Sequence, residues 1–249
     1  MTPEATEVAW LLKEKYDGEK TEGFFADCAR LQAGEPLAYL IGYIPFLTST
    51  IYLDNHPLIP RTETEFWVNE VITELTTRNK ESFRALDLCA GSGCIGVAFA
   101  QAFPKATMDF AERETRLHPT IQKNLTENHL TNSGAIYGGD LFEEVTGRYD
   151  IILSNPPYID PALCRAEQCV LEYEPHEALF GGEAGTTVLG HIIQRTNPHL
   201  AHGGQLYLEH EPEQTAFVRE YGMHFGFMVD TRPDQYGVER YTCLTRQDV

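Results

Sequence analysis

No apolar run in the 249 residues approaches the roughly 18 that a membrane-crossing helix needs. The opening Met1-Thr2-Pro3-Glu4-Ala5-Thr6-Glu7 is acidic, where a secretory leader carries basic residues before an apolar stretch. A cytoplasmic protein with no membrane partner is expected. Basic residues are scarce: 19 Lys and Arg stand against 37 Asp and Glu, a formal charge of −18. Affinity for a phosphate backbone rests on Lys and Arg displacing condensed counterions, so this balance argues against DNA or RNA. Cysteines number six, at 28, 89, 94, 164, 169 and 243, too few and too scattered for a disulfide scaffold. Cys89/Cys94 and Cys164/Cys169 are five apart rather than C-x-x-C, which argues against structural zinc. The nine histidines include Glu209-His210-Glu211 but no H-E-x-x-H, and no metal is expected. Internal repeats and low-complexity tracts are also missing.

What remains is an ordinary globular composition, 42% hydrophobic, in a chain long enough for one α/β domain and a small accessory piece. Thr2 then Pro3 reads as a helix start, with Val8, Leu11 and Leu12 at helical spacing. A break at Gly18 precedes a second helix through Phe24, Phe25, Cys28 and Leu31 that stops at Gly34. Two helices of this length bury little of their own surface and must lean on another element. Ile44-Pro45-Phe46-Leu47 and Ile51-Tyr52-Leu53 read as a hairpin around Thr48-Ser49-Thr50. Thr62-Glu63-Thr64-Glu65 has the form of a capping box opening a helix whose Val68, Val71, Ile72 and Leu75 share one face.

From residue 84 strands and helices alternate. Strands are predicted at 84–88, 106–111, 135–137, 149–153 and 205–209, and helices after the glycine loop, at 115–129 and at 186–197. Repeated βα units imply a parallel sheet covered on both faces. The closing strands at 227–231 and 240–245 lack room for a helix between them, so they are predicted to be antiparallel.

Asp87-Leu88-Cys89-Ala90-Gly91-Ser92-Gly93 lies where the first strand meets a helix. Small residues there let a ligand approach the backbone, and the helix N-terminus offers free N–H groups. Gly91 to Gly96 reads literally as G-x-G-x-x-G, and Glu112 after the second strand is suited to ribose hydroxyls. A dinucleotide and S-adenosylmethionine both fit; a tight turn with no ligand is the plain alternative. Asp87 would repel a pyrophosphate and suits a ligand bearing a sulfonium and an ammonium, which favours S-adenosylmethionine. Asp140, after Gly138-Gly139, is placed to accept from an exocyclic amine, or merely to cap the turn that follows.

The strand at 149–153 runs into Asn155-Pro156-Pro157-Tyr158, facing the same crevice as the glycine loop. Two prolines make a stiff corner without backbone donors. It offers acceptors, the Asn155 side-chain oxygen and the Pro156 carbonyl, which suit a substrate NH2, while Tyr158 adds an aromatic face. An amide nitrogen is a poor nucleophile because its lone pair is delocalised. Two acceptors on its hydrogens can aim it at a methyl group and favour the positive charge that builds on it.

Across residues 35–246 the chain resembles the release-factor glutamine methyltransferases, the HemK/PrmC family. The likeness rests on Pro36-Leu37-Ala38-Tyr39-Leu40-Ile41-Gly42, Leu58-Ile59-Pro60-Arg61 with Glu63-Thr64-Glu65, and Asp87 to Gly93. It continues through Asn155-Pro156-Pro157-Tyr158-Ile159, Tyr173-Glu174-Pro175-His176-Glu177-Ala178-Leu179 and Tyr236-Gly237. The resemblance implies a class I S-adenosylmethionine-dependent methyltransferase fold: α/β, a Rossmann-like seven-stranded sheet with its last pair antiparallel. A short N-terminal helical segment (1–34) and a β-hairpin linker (35–60) would precede the catalytic domain (61–249). It implies methyl transfer to the glutamine of the Gly-Gly-Gln loop of class I peptide chain release factors, by a monomer. Cys89, Ala90, Gly91, Ser92 and Gly93 would line the methionine side with Asp87, Glu112 would hold the ribose, Asp140 and Leu141 would border the adenine, and Asn155 would also touch the cofactor. Asn155, Pro156, Pro157 and Tyr158 would bind the glutamine, with Asn155, Pro156 and Tyr158 as the catalytic group. Asn-Pro-Pro-Tyr alone is shared with adenine-N6 methyltransferases, and a ribosomal-protein glutamine is another possible acceptor. From other classes, a dinucleotide oxidoreductase and a non-catalytic binding module stand as rivals. Three departures are visible: the N-terminal helical segment is about half the usual length, Thr62 stands where proline is typical, and Cys89-Ala90 replaces Gly-Thr.

Overall fold

The computed structural model describes residues 5–163 and 167–247. The predicted helix start at Thr2-Pro3 and Cys164 lie outside the described residues. The chain begins with α1 (Ala5–Tyr16), α2 (Glu22–Gln32) and α3 (Leu37–Ile41), then a hairpin of β1 (Tyr43–Phe46) and β2 (Ser49–Tyr52). There follow α4 (Thr62–Thr77), β3 (Arg84–Leu88), α5 (Cys94–Ala102), β4 (Thr107–Ala111), α6 (His118–Glu127), β5 (Ser133–Tyr137) and β6 (Tyr149–Ser154). The last part comprises α7 (Gln168–Tyr173), α8 (Thr187–Thr196), β7 (Leu200–Glu209), α9 (Thr215–His224), β8 (Phe227–Pro233) and β9 (Glu239–Arg246).

Seven strands form one sheet in the order β5-β4-β3-β6-β7-β9-β8. It is parallel from β5 through β7, whereas β9 runs antiparallel to both β7 and β8, as the short 232–239 connection requires. Side chains alternate between faces. Ala85, Ile151, Leu153 and Tyr207 join the cluster with Trp67, Val68, Val71 and Leu75 of α4 and Val97 and Phe99 of α5. Leu86, Ile152, Leu206 and Leu208 join Leu189, Ile192 and Ile193 of α8 and Val218 of α9. Both faces are covered, which is why β3 and β6 read as nearly continuous apolar runs.

The chain order reverses between β3 and β6, so their carboxyl ends flank the crevice where open α/β sheets bind ligands. Leu88 pairs with Ser154 at those ends, and the Ser154 hydroxyl donates to the Leu88 carbonyl at 2.8 Å. The hairpin is fastened to the same region. Buried Asn124 of α6 accepts from Tyr52 N (2.7 Å) and donates to Tyr52 O (3.0 Å) and Ser92 O (2.8 Å), joining hairpin and glycine loop.

Several local expectations change. The hairpin turns at 47–48, not 48–50. The capping box does not form: Thr62 donates to Glu63 (3.1 Å), and Glu65 accepts from Leu47 N (2.6 Å), although α4 does begin at Thr62. Trp67, fully buried, belongs to the α4 core face that the sequence reading gave to Val68, Val71, Ile72 and Leu75. Helix α3, too short to show a helical period, supplies the element on which the first two helices lean: Leu40 packs with Leu11, Phe24 and Leu31. Among the described residues no helix is long and apolar enough to cross a membrane.

Candidate active site

A cavity of about 230 Å3 opens at the carboxyl ends of β3, β4 and β6. Cys89, Ala90, Gly91 and Ser92 of the glycine loop line it, with Glu112 after β4, Asp140 and Leu141 after β5, and Asn155 and Pro157 after β6. The loop is a tight turn in which Gly93 N donates to Ala90 O at 2.7 Å. Gly91 sits at φ +55°, and a Cβ built there meets nothing within 4 Å, so its backbone faces open space that a ligand can fill. Cys89 shares the left-handed region at φ +61°, which costs a non-glycine residue about 1–3 kcal/mol. Burial pushes its thiol pKa up, which favours the neutral thiol over the thiolate.

Two of the loop residues expected at the ligand do not reach the cavity wall. Asp87 is fully buried beneath the loop, and its Oδ2 accepts from Gly96 N (2.8 Å) in the first turn of α5. Its Oδ1 has no hydrogen-bond partner among the described residues, and burial holds its pKa well above the usual carboxylate range. Gly93 caps α5 at φ +80° and is packed against Ile121 and Phe110. Both shape the loop from below, because the strand-to-helix turn lifts only residues 89–92 to the rim.

Glu112 does lie on the wall. Its Oε2 accepts from Gly91 N and its Oε1 from Glu114 N, each at 2.8 Å, and burial raises its pKa. A carboxylate has about four lone-pair sites, so acceptors are left for a pair of hydroxyls. Asp140 is exposed at the rim, 4.0 Å from Arg113 and 3.6 Å from Arg195. It does not cap the turn with its side chain; instead Glu143 accepts from Asp140 N at 3.1 Å. Leu141, buried, closes the floor beside it. Gly91's open backbone and Glu112's spare acceptors together fit a diol-bearing ligand.

A second cavity, of about 440 Å3, lies on the other side of the Asn-Pro-Pro-Tyr turn. Pro156, Tyr158, Arg61, Glu63, Glu209 and Arg240 line it, and Leu58, Asn155 and Ala178 line both cavities. Asn155 donates from Nδ2 to Thr64 Oγ1 at 3.0 Å, and the Tyr158 hydroxyl donates to Glu209 Oε1 at 2.9 Å. Burial pushes the Tyr158 phenol well above its ordinary pKa, so it stays a neutral donor. Past the turn, Ile159 N donates to Leu179 O (2.9 Å) and Gly181 N to Ile159 O (3.0 Å), which pins the chain leaving the corner.

The family model described as "Methyltransferase small domain" matches residues 69–168. The release factor glutamine methyltransferase of Aliivibrio fischeri is 34% identical over 227 residues, spanning 90% of this chain and 78% of that protein. That of Salmonella typhimurium is 33% identical, spanning 86% of this chain and 76% of its own. The chain belongs to the release factor glutamine methyltransferase family. The fold also matches a methyltransferase from Pyrococcus furiosus, with a TM-score of 0.60 at 17% identity over 90% of this chain and 99% of that one.

In this methyltransferase several site residues escape a reading of the sequence. Glu209, at the end of β7, is wholly buried and accepts three bonds: Thr64 Oγ1 (2.8 Å), Trp67 Nε1 (2.6 Å) and Tyr158 OH. The only sequence signal was an acid closing an apolar strand. Glu174, part of the Tyr173-Glu174-Pro175 motif, accepts from Arg61 (2.6 Å) and Ile59 N (3.0 Å), clamping the linker against the turn region. That partnership spans more than a hundred residues and leaves no local trace. Arg116, on the first cavity's wall, donates to Asn55 O and to Glu177 (2.7 Å). Among the described residues no three His, Cys, Asp or Glu side chains converge as a metal site.

Proposed function

We propose that this methyltransferase moves a methyl group from S-adenosylmethionine to the side-chain amide nitrogen of a glutamine, that of the Gly-Gly-Gln loop in a class I peptide chain release factor. One observation carries the reading: Asn155 is shared by two cavities, one with the features of a nucleoside pocket and one acidic and open. A residue touching both can hold an acceptor amide from one while the donor lies in the other.

The methyl donor, when bound, supplies an electrophilic methyl on a sulfonium sulfur. The chain does the rest by positioning. Cys89, Ala90, Gly91 and Ser92 wrap one end of the donor, Glu112 accepts from its ribose hydroxyls, and Asp140 and Leu141 flank its base. Asp87 and Gly93 act indirectly, by holding the loop on α5. Asn155 Oδ1 and the Pro156 carbonyl accept the two amide hydrogens of the glutamine, which orients its nitrogen and favours the charge that builds there. Pro157 keeps the corner rigid and Tyr158 packs along the amide plane. No base is needed before attack: as the N–CH3 bond forms the S–CH3 bond breaks, S-adenosylhomocysteine leaves, and the methylated nitrogen releases one of its two protons to solvent.

Support for the acceptor comes from the family, whose members are named for release factors. The test is mass spectrometry of a release factor incubated with the enzyme and labelled S-adenosylmethionine. A labelled methyl on the loop glutamine is expected. An unlabelled release factor beside a labelled ribosomal protein would overturn the choice of acceptor.

A further inference from the structure

Beneath the Asn-Pro-Pro-Tyr corner a chain of hydrogen bonds converges on Glu209, and its direction is set when Glu209 is a carboxylate, the form its three donors favour against the upward pull of burial on its pKa. Trp67 Nε1 can only donate, and it occupies one lone pair of Glu209 Oε2 at 2.6 Å. The Thr64 hydroxyl donates to the same oxygen at 2.8 Å, and Tyr158 fills Oε1 at 2.9 Å. The single proton of Thr64 is thereby committed to Glu209, and toward Asn155 it presents lone pairs alone. Those lone pairs accept the Asn155 NH2 at 3.0 Å. An Asn155 amide turned the other way would set its Oδ1 against an oxygen with no proton between them.

We infer that Thr64, with its proton held by Glu209, is a positioning residue that sets the rotamer of the Asn155 amide, so that Oδ1 rather than NH2 meets the substrate. The inference rests on the proposed methyl transfer to an amide and adds residues to it. A glutamine nitrogen brings two donors, and an Asn155 presenting NH2 would repel it. An amide has no intrinsic preference between its two orientations, so the polarity must come from the neighbour. Thr64 (1% exposed) and Glu209 (wholly buried) are shielded from water that would otherwise scramble that order. Tyr158 is tied to the same carboxylate, so one side chain holds both ends of the corner.

The test compares Thr64→Val, which keeps the shape and removes the hydroxyl, with Thr64→Ser, which keeps the hydroxyl. Single-turnover methylation of a release factor and the Kd for S-adenosylhomocysteine are measured for each. Thr64→Val is expected to slow transfer by roughly 10- to 100-fold, as for a lost buried hydrogen bond, with Kd changed by less than about threefold. Thr64→Ser is expected to restore the rate to within about fivefold, because the hydroxyl carries the effect. Equal rates for Thr64→Val and the wild type, or an equal loss in both variants, overturns the inference. A second readout needs no substrate: the Asn155 side-chain NH2 resonances, assigned by difference against Asn155→Asp, should be protected from hydrogen exchange in the wild type and lose that protection in Thr64→Val. Unchanged protection also overturns it. A wild-type enzyme inert toward release factors would instead overturn the proposed acceptor, and the exchange experiment would still decide the relay.

Discussion

Replacing Glu112 with Gln separates the carboxylate's grip on the glycine loop from its grip on a ligand. Glu112 accepts from Gly91 N and Glu114 N at 2.8 Å each, one per oxygen. A carboxamide has a single oxygen, so one backbone N–H would face an NH2 and lose its partner. A hydrogen bond to a charged group contributes about 1.5–3 kcal/mol, so the free protein should lose up to that amount, offset in part by no longer burying a charge. For a chain of this size that is a fall in Tm of about 3–12 °C at most. Binding of S-adenosylhomocysteine should suffer separately, since one ribose hydroxyl also loses its acceptor, weakening Kd by roughly 10- to 150-fold. Calorimetric titration gives the Kd and scanning calorimetry the Tm. A Kd equal to the wild type's, with a lowered Tm, would refute the ribose assignment and leave Glu112 a loop support.

Asn155→Ala should slow methyl transfer by at least about a hundredfold in a single-turnover assay, because an acceptor at the reacting nitrogen is lost, while Kd for S-adenosylhomocysteine moves less than about threefold. Asp87→Asn should raise Tm at pH 8 and lose that advantage near pH 4. Burial lifts the folded-state pKa of Asp87 above its unfolded value, so the stability favoured by its protonated form is present below the unfolded pKa and lost as pH rises through the folded one. An equal gain at both pH values, or a loss at pH 8, would contradict this. Gly96→Ala would place a Cβ 2.8 Å from Phe110 Cζ, 3.1 Å from Asp87 Cβ and closer still to Phe110 Cε1. Such overpacking costs about 1–3 kcal/mol, or a Tm lower by roughly 2–12 °C, and an unchanged melting curve would show that the loop yields.

Much of the fold was legible because the sheet is buried on both faces. Residues 84–88 and 149–153 are mostly apolar, broken only by Arg84, Asp87 and Asp150, and end in loops with strong local chemistry, so strand ends, glycine loop and proline corner could be placed from short windows. The antiparallel closing pair followed from loop length. Legibility failed where a partner is distant or an element is too short for a period. Helix α3 has five residues, and the capping box was outcompeted when Glu65 found Leu47 N eighteen positions away. The site divides the same way. Cys89 to Ser92, Glu112, Asp140, Leu141 and Asn155 to Tyr158 border the two cavities. Asp87 does not, since a carboxylate at the end of a buried strand points where the pleat sends it, here under α5. Glu209, Thr64 and Trp67 were invisible as a group because α4 and β7 meet only in the folded chain.

The central claim is that a glutamine amide is held at the junction of the two cavities with its nitrogen toward the methyl donor. A crystal structure of the protein with S-adenosylhomocysteine and a Gly-Gly-Gln loop peptide tests it most directly. The account predicts the glutamine nitrogen within hydrogen-bond reach of Asn155 Oδ1 and the Pro156 carbonyl, and facing the sulfur. A glutamine seated away from Asn155, or an Asn155 presenting its NH2 to the peptide while its oxygen turns to Thr64, would contradict it.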